Sequence, residues 1–338
     1  MTLIRKIKQS MRCSAAILIL AFPLSGCNIV RSSSVTESFY LPERNLLSVR
    51  KTNLIFTDKV RNQKLPLQVV YPASSDKPNP IIIFSYGYQG AGEQDKALAD
   101  YWTSHGYVVI TPAHNDSSYK NPNSDYRGLD SKLLWENRIK DINFVIDSLN
   151  EIEQALPKFK GVLDRENIAL AGFSLGAHTT SLMAGATVTS SAKKDVSYQN
   201  NRITAFLALS PQGRGSWTGF QDNSWDKLNN PIMFVTGSLD TQTSLGEPDV
   251  GPEWRAEGYT FSPPGDKYYF CIEGFSHMDF DGSEPEQGKR YKTIYTSLRS
   301  VTLSFFDAYL RNSQAAKDYL AFNTLAEETD SIVRLQLK

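Results

Sequence analysis

The sequence predicts an α/β fold, a mostly parallel central sheet with helices on both faces. Three observations carry that prediction. The runs "PIIIFS" (80–85), "YVVIT" (107–111), "NIALAG" (167–172), "AFLALS" (205–210) and "PIMFVTG" (231–237) are continuously apolar, as strands buried on both faces are. Segments of helical period lie between and after them. Trp135, Ile139, Ile142, Ile146 and Leu149 recur at steps of three and four, as do Leu298, Val301, Phe305 and Tyr309. No internal repeat and no Pro/Gly-rich linker breaks the alternation, which places residues 45–338 in a single domain.

Residues 1–26 stand apart from that domain. They carry Arg5, Lys6, Lys8 and Arg12 and no acidic residue, which leaves the rest of the chain at a net −4. The apolar run Ala15–Leu24 is too short to cross a hydrocarbon core of about 30 Å as a helix and has the proportions of a secretory signal. Leu24-Ser25-Gly26-Cys27 resembles a bacterial lipobox. The resemblance implies cleavage before Cys27 and lipidation of Cys27, so a membrane anchor, with 1–26 as the signal peptide. Asn28 in place of Asp at the next position implies sorting to the outer membrane, facing the periplasm or the outside. The plainer reading is an ordinary signal peptide cut near Gly26. Residues 27–44 are polar and read as a tether.

Composition narrows the classes of function. With 41% apolar and 21% charged residues the chain is neither disordered nor a polytopic membrane protein. It has no basic stripe beyond Lys193-Lys194, which argues against nucleic acid as a partner. Of three cysteines, Cys13 leaves with the signal and Cys27 is the lipidation candidate. Cys271, in "YYFCIEG", then has no partner for a disulfide and reads as a buried thiol.

Taken in order, "KLPLQVVY" (64–71) puts Leu65, Leu67, Val69 and Tyr71 on one face, a strand with one solvated side. Segments 115–130 and 188–201 are polar and turn-rich and read as surface loops. "NIALAG" leads into "GFSLGAH", where Gly172-Phe173-Ser174-Leu175-Gly176 fits G-x-S-x-G. The five letters arise by chance in roughly one chain of this length in ten. Context therefore decides. A nucleophilic serine on this motif needs a strand before it and a helix after it, and both are predicted here. It also needs a base. Of four histidines, His277 follows the last buried run, in "EGFSHMDF", and is the candidate. His114 ends "YVVITPAH" and is the second choice. His178, one helical turn beyond Ser174, reads as packing, and His105 as a cap or surface residue. The orienting acid should lie between serine and base. Asp240 closes "PIMFVTGSLD" there, whereas Asp226, Asp249 and Asp266 fall in loops. Backbone N–H groups of Leu175 and Tyr88, the latter in the glycine-rich loop "FSYGYQGAG", are the candidate oxyanion donors. That loop runs G-x-x-G-x-G, which fits neither a dinucleotide nor a phosphate loop. "DFDG" (279–282) reads as a turn rather than a calcium loop, and no His/Cys cluster suggests a metal. No cofactor is expected.

Together "PIIIFSYGYQG", "SHGYVVITPAH", "GFSLGAH", "GSLD" and "GFSHMDF" resemble the α/β-hydrolase superfamily over roughly 50–312. More narrowly, they resemble its branch of platelet-activating-factor acetylhydrolases, predicted dienelactone hydrolases and cutinase-like polyesterases. The resemblance implies a Ser174–His277–Asp240 triad, an oxyanion hole from Tyr88 and Leu175, and hydrolysis of accessible esters through an acyl-enzyme. The candidates include a serine esterase or lipase and an acetylhydrolase acting on short-acyl phospholipids. The branch usually has Ser-His-Gly in the oxyanion loop. Here it is Ser85-Tyr86-Gly87, a change that bears on pocket shape and substrate class. Tyr86, Tyr88, Trp217 and Trp225 are candidates for an aromatic pocket, with core packing as the plainer role. An acyltransferase with the same triad and a silent envelope-binding lipoprotein are the alternatives.

Overall fold

The computed structural model describes residues 39–42, 46–90, 96–117, 131–159, 161–189, 195–241, 250–281, 288–322 and 324–338. The signal peptide, Cys27 and most of the tether lie outside them. The described chain runs β1 (Val49–Asp58), β2 (Gln63–Pro72), β3 (Asn79–Ser85), α1 (Lys96–Ser104), β4 (Val108–Pro112), α2 (Ser131–Asp147), α3 (Leu149–Ala155), β5 (Leu163–Phe173), α4 (Leu175–Ala184), β6 (Thr187–Val188), β7 (Val196–Ser197), β8 (Ala205–Leu209), β9 (Ile232–Leu239), α5 (Pro252–Arg255), α6 (Glu257–Phe261), β10 (Lys267–Ser276), a 3-10 turn (Met278–Asp281), α7 (Lys289–Leu310), α8 (Gln314–Phe322), α9 (Leu325–Glu328) and β11 (Val333–Leu337).

Nine strands form one sheet in the order β1-β2-β4-β3-β5-β8-β9-β10-β11. Strands β4, β3, β5, β8, β9 and β10 are parallel to their neighbours within that run. The outer pairs β1–β2, β2–β4 and β10–β11 are antiparallel. The fold is thus an α/β-hydrolase sheet, mostly parallel, with helices on both faces.

The unbroken apolar runs have a simple cause. In β3, Ile82 and Phe84 enter the core that Trp102 of α1 and Phe305 and Phe306 of α7 complete. Ile81 and Ile83 enter the opposite core, with Ile139 and Ile142 of α2 and Leu182 of α4. Side chains alternate faces at every residue, so a sheet covered on both sides needs apolar residues at consecutive positions. Ile81, Ile82 and Ile83 are fully buried, each contributing about 1.5–3 kcal/mol relative to exposure.

Two readings of the sequence are amended and two strands are added. The edge strands β1 and β11 were not legible, because each is only half covered and presents few apolar residues. Segment 115–130 is not all surface loop: Asp116 and Ser117 are buried, and 118–130 lies outside the described residues. Segment 188–201 contributes to the short β6–β7 pair, with 190–194 outside the described residues.

Candidate active site

Ser174 sits between the end of β5 and the start of α4 with φ 51° and ψ −117°. That sparsely populated conformation costs on the order of 1–3 kcal/mol. Its neighbours enforce it. A Cβ at Gly172 would collide with the backbone of Gly176, and one at Gly176 with the carbonyl of Ser85. The two glycines let β5, α4 and the end of β3 close together, and the chain must turn sharply at Ser174 to do so. The Ser174 N–H is taken by the Leu209 carbonyl at 2.9 Å. Leu175 is the first residue of α4, so its N–H has no acceptor within the helix.

Asp240 follows β9 and His277 follows β10, neighbouring strands of the sheet. His277 Nδ1 lies 3.0 Å from Asp240 Oδ1. The carboxylate is fully buried and richly supplied with donors. Thr236 Oγ1 donates to Oδ2 at 3.1 Å, and Arg255 Nε lies 3.2 Å from Oδ1. Ser210 Oγ, 2.7 Å from His277 Nδ1, also bonds the carboxylate. Burial pushes the Asp240 carboxyl up. The His277 hydrogen bond and the Arg255 charge more than offset it, and the group stays below the ordinary carboxylate range. Asp240 is therefore held as an anion. The His277 ring packs against Phe173 with centroids 5.0 Å apart, which brings the imidazole beside the residue preceding Ser174. The structure thus gathers Ser174, Asp240 and His277 at the carboxyl ends of β5, β9 and β10.

The loop after β3 passes the same place. A Cβ at Gly87 would stand 3.3 Å from Ser174 Cβ. Tyr88 is half-buried beside it. Behind the loop lies a polar network that sequence reading did not find. Arg138, 1% exposed, donates to the carbonyls of Tyr86 and Gly87 and pairs with Asp116. Ser85 Oγ lies 3.0 Å from His114 Nε2, and His114 Nδ1 lies 2.9 Å from Asp141 Oδ2. Arg61 NH1 pairs with Asp141 Oδ1 at 2.7 Å. His114, the second choice for the base, is engaged here and not with Ser174.

The remaining histidines behave as packing. His178 Nε2 donates to the Thr218 carbonyl at 2.9 Å between Trp135 and Phe220, and burial lowers its pKa to about 4. His105 caps the end of α1 through the Tyr101 carbonyl at 2.8 Å and is buried rather than at the surface. Cys271 is buried. Asp226 and Asp266 are exposed, and Asp249 lies outside the described residues. Tyr86 and Trp225 are core residues, which leaves Tyr88 and Trp217 as the partly exposed aromatics. Asp279 of "DFDG" accepts from the Ser276 N–H and hydroxyl, the chemistry of a turn. Among the described residues no cluster of metal ligands occurs.

Arg255 and Ser210 were also missed. Ser210 carried a usable signal, since it is a polar residue directly at the carboxyl end of a buried strand, as are Ser85 and Asp240. Arg255 carried none.

A serine on a strained strand–helix turn, an acid–imidazole pair on neighbouring strand ends and a glycine loop beside the serine are thus set on a sheet of the α/β-hydrolase fold. Residues 39–124, which include that loop and end before Ser174, match the family described as platelet-activating factor acetylhydrolase, isoform II. Among solved structures, a ferulic acid esterase from Streptomyces cinnamoneus is similar with a TM-score of 0.55 and 18% identity, over 80% of this chain and 92% of that one. That likeness is one of fold. No curated protein matches the chain.

Proposed function

We propose that this protein is a serine esterase or lipase that cleaves carboxylic esters through an acyl-enzyme. The observation that carries the reading is the strained Ser174, set between the Leu175 N–H and an Asp240–His277 pair that packs on Phe173. In this reading Ser174 Oγ attacks the ester carbonyl while His277 Nε2 takes its proton. Asp240 holds the imidazole with Nδ1–H inward and stabilises the imidazolium. The Leu175 and Tyr88 N–H groups receive the oxyanion, a contribution of roughly 3–4 kcal/mol per donor. His277 then protonates the leaving alcohol, and water, deprotonated by the same base, releases the acid. No step requires a cofactor.

The partial family match and the esterase-like fold both support ester substrates. A panel of p-nitrophenyl esters, a short-acyl phospholipid, a feruloyl ester and a polyester film reads acyl preference. The deciding experiment is Ser174→Ala. The reading expects loss of p-nitrophenyl acetate turnover and of fluorophosphonate labelling, and persistent labelling at another serine overturns it.

We further propose that residues 45–338 are a single catalytic domain carried on a lipid anchor at Cys27, with 1–26 removed and 27–44 as tether, at the outer membrane of a bacterial envelope. The lipobox-like Leu24-Ser25-Gly26-Cys27 and Asn28 support this. Metabolic labelling with a fatty-acid probe should mark the protein and be lost in Cys27→Ser; a labelled Cys27→Ser variant rules the anchor out.

A further inference from the structure

The network behind the loop after β3 has the same three groups as the site, and this poses the question of what it does. Ser85, His114 and Asp141 form a second hydroxyl–imidazole–carboxylate relay, with spacings of 3.0 and 2.9 Å. Ser85 and Asp141 are fully buried and His114 is 2% exposed, so no ester reaches the hydroxyl. Its partners are structural. The Nδ1–H of His114 donates to Asp141, leaving Nε2 to accept from the Ser85 hydroxyl, whose oxygen in turn faces Arg138 NH1 at 3.4 Å.

Arg138 is the other half of the arrangement. A guanidinium has five N–H donors, and here five contacts use them: Nε to Asp116 at 3.1 Å, NH2 to Asp116 and to Gly87 O at 2.9 Å, and NH1 to Tyr86 O and Ser85 Oγ. Three of the five go to the consecutive residues 85–87. The side chain is 1% exposed, and helix α2 supplies both Arg138 and Asp141 three residues apart, on one face.

The consequence lies in the peptide plane. In a trans peptide the carbonyl and the following N–H point in opposite directions. The Gly87 carbonyl belongs to the same peptide as the Tyr88 N–H. Drawing that carbonyl toward Arg138 turns the Tyr88 N–H the other way. It also places a buried positive charge behind the peptide dipole, so that one peptide links the guanidinium to whatever accepts the Tyr88 proton. Linked hydrogen bonds of this kind polarise one another.

We propose that Arg138, braced by Asp116 and by the Ser85–His114–Asp141 relay, is a positioning residue that aims and polarises the Tyr88 N–H of the oxyanion hole. The inference rests on the serine-hydrolase reading above and adds to it a transition-state role for a side chain that touches no substrate.

The test compares the unmodified protein with Arg138→Gln, Arg138→Lys and Ser85→Ala. It measures kcat and KM for p-nitrophenyl acetate and the affinity of a trifluoromethyl ketone whose adduct mimics the tetrahedral oxyanion. Arg138→Gln is expected to lower kcat about 10- to 100-fold with KM within about threefold, and to weaken the ketone by the same factor, because an interaction made in the transition state alone is lost. Arg138→Lys keeps the charge without the fork and should fall between. Ser85→Ala, a small truncation that guards against a misfolded Arg138→Gln, should lower kcat a few-fold with the same parallel loss of ketone affinity. A folded Arg138→Gln or Ser85→Ala with unchanged kcat overturns the role, as does a loss of kcat without loss of ketone affinity. Unmodified protein that neither turns over the ester nor labels at Ser174 removes the hydrolase reading itself, and this proposal with it.

Discussion

Two serine–histidine–aspartate sets of the same composition stand at one side of the molecule's sheet, and their geometries differ. In both, an imidazole faces a buried carboxylate that a buried or half-buried arginine also contacts; Ser85 bonds its imidazole directly, whereas Ser174 follows Phe173, on which the His277 ring packs. Ser85, however, is fully buried at the end of β3. Ser174 is forced to φ 51° at the mouth of a helix. Residue types alone do not distinguish the two sets. Backbone conformation and what lies on the open side of the hydroxyl do.

The sharpest break between the two is at the hydroxyls. Ser174→Ala should lower kcat on p-nitrophenyl acetate by about 10⁴-fold or more, whereas Ser85→Ala stays within about tenfold and still takes a fluorophosphonate at Ser174, located by mass spectrometry of the digest. The acids come next. Asp240→Asn leaves the shape but reverses the hydrogen bond to His277 Nδ1, with an expected loss of about 10⁴-fold in kcat. Asp141→Asn should appear chiefly as a loss of about 1–3 kcal/mol in urea unfolding. Removing the arginine beside the working acid tests packing against chemistry. Arg255→Ala leaves a buried carboxylate short of a partner and should lower unfolding free energy by about 3–5 kcal/mol.

A pH effect uses His178, a buried imidazole with no carboxylate. Its pKa falls from 6.5 to about 4 in the fold. Unfolded chains therefore take up this proton first. Stability is expected to decline as pH drops from 6.5 to about 4, by about 3 kcal/mol from this group. His178→Gln should flatten that part of the stability–pH curve measured by denaturant titration; an unchanged slope would assign the acid sensitivity elsewhere. His114, also lowered by burial and by Arg138, should remain as a second contributor with the same sign.

Much of this was legible from residues alone. Buried parallel strands announce themselves as unbroken apolar runs, and the order of the serine, acid and imidazole follows from where each run ends. Edge strands β1 and β11 were silent because half-covered strands need few apolar residues. The second relay was silent for another reason. His114 was seen, but its partners Ser85 and Asp141 come from a strand end and a mid-helix position that only the packing of α2 over β3 and β4 brings together. Arg255 and Arg138 look in sequence like ordinary surface charges, and nothing in one dimension says that each is about 1% exposed.

The carbonyls of Ser85 and Tyr86 seated where Gly176 has no side chain mean that α4 and the loop after β3 meet with no spare volume. For directed evolution this divides the molecule. In the serine-hydrolase reading, a library that varies 172–176 disturbs both elements at once and should return almost entirely dead clones. Variation at Tyr88 or at the exposed Leu239 and Met278, which adjoin Asp240 and His277, leaves that contact intact, and new substrate preferences should be sought there.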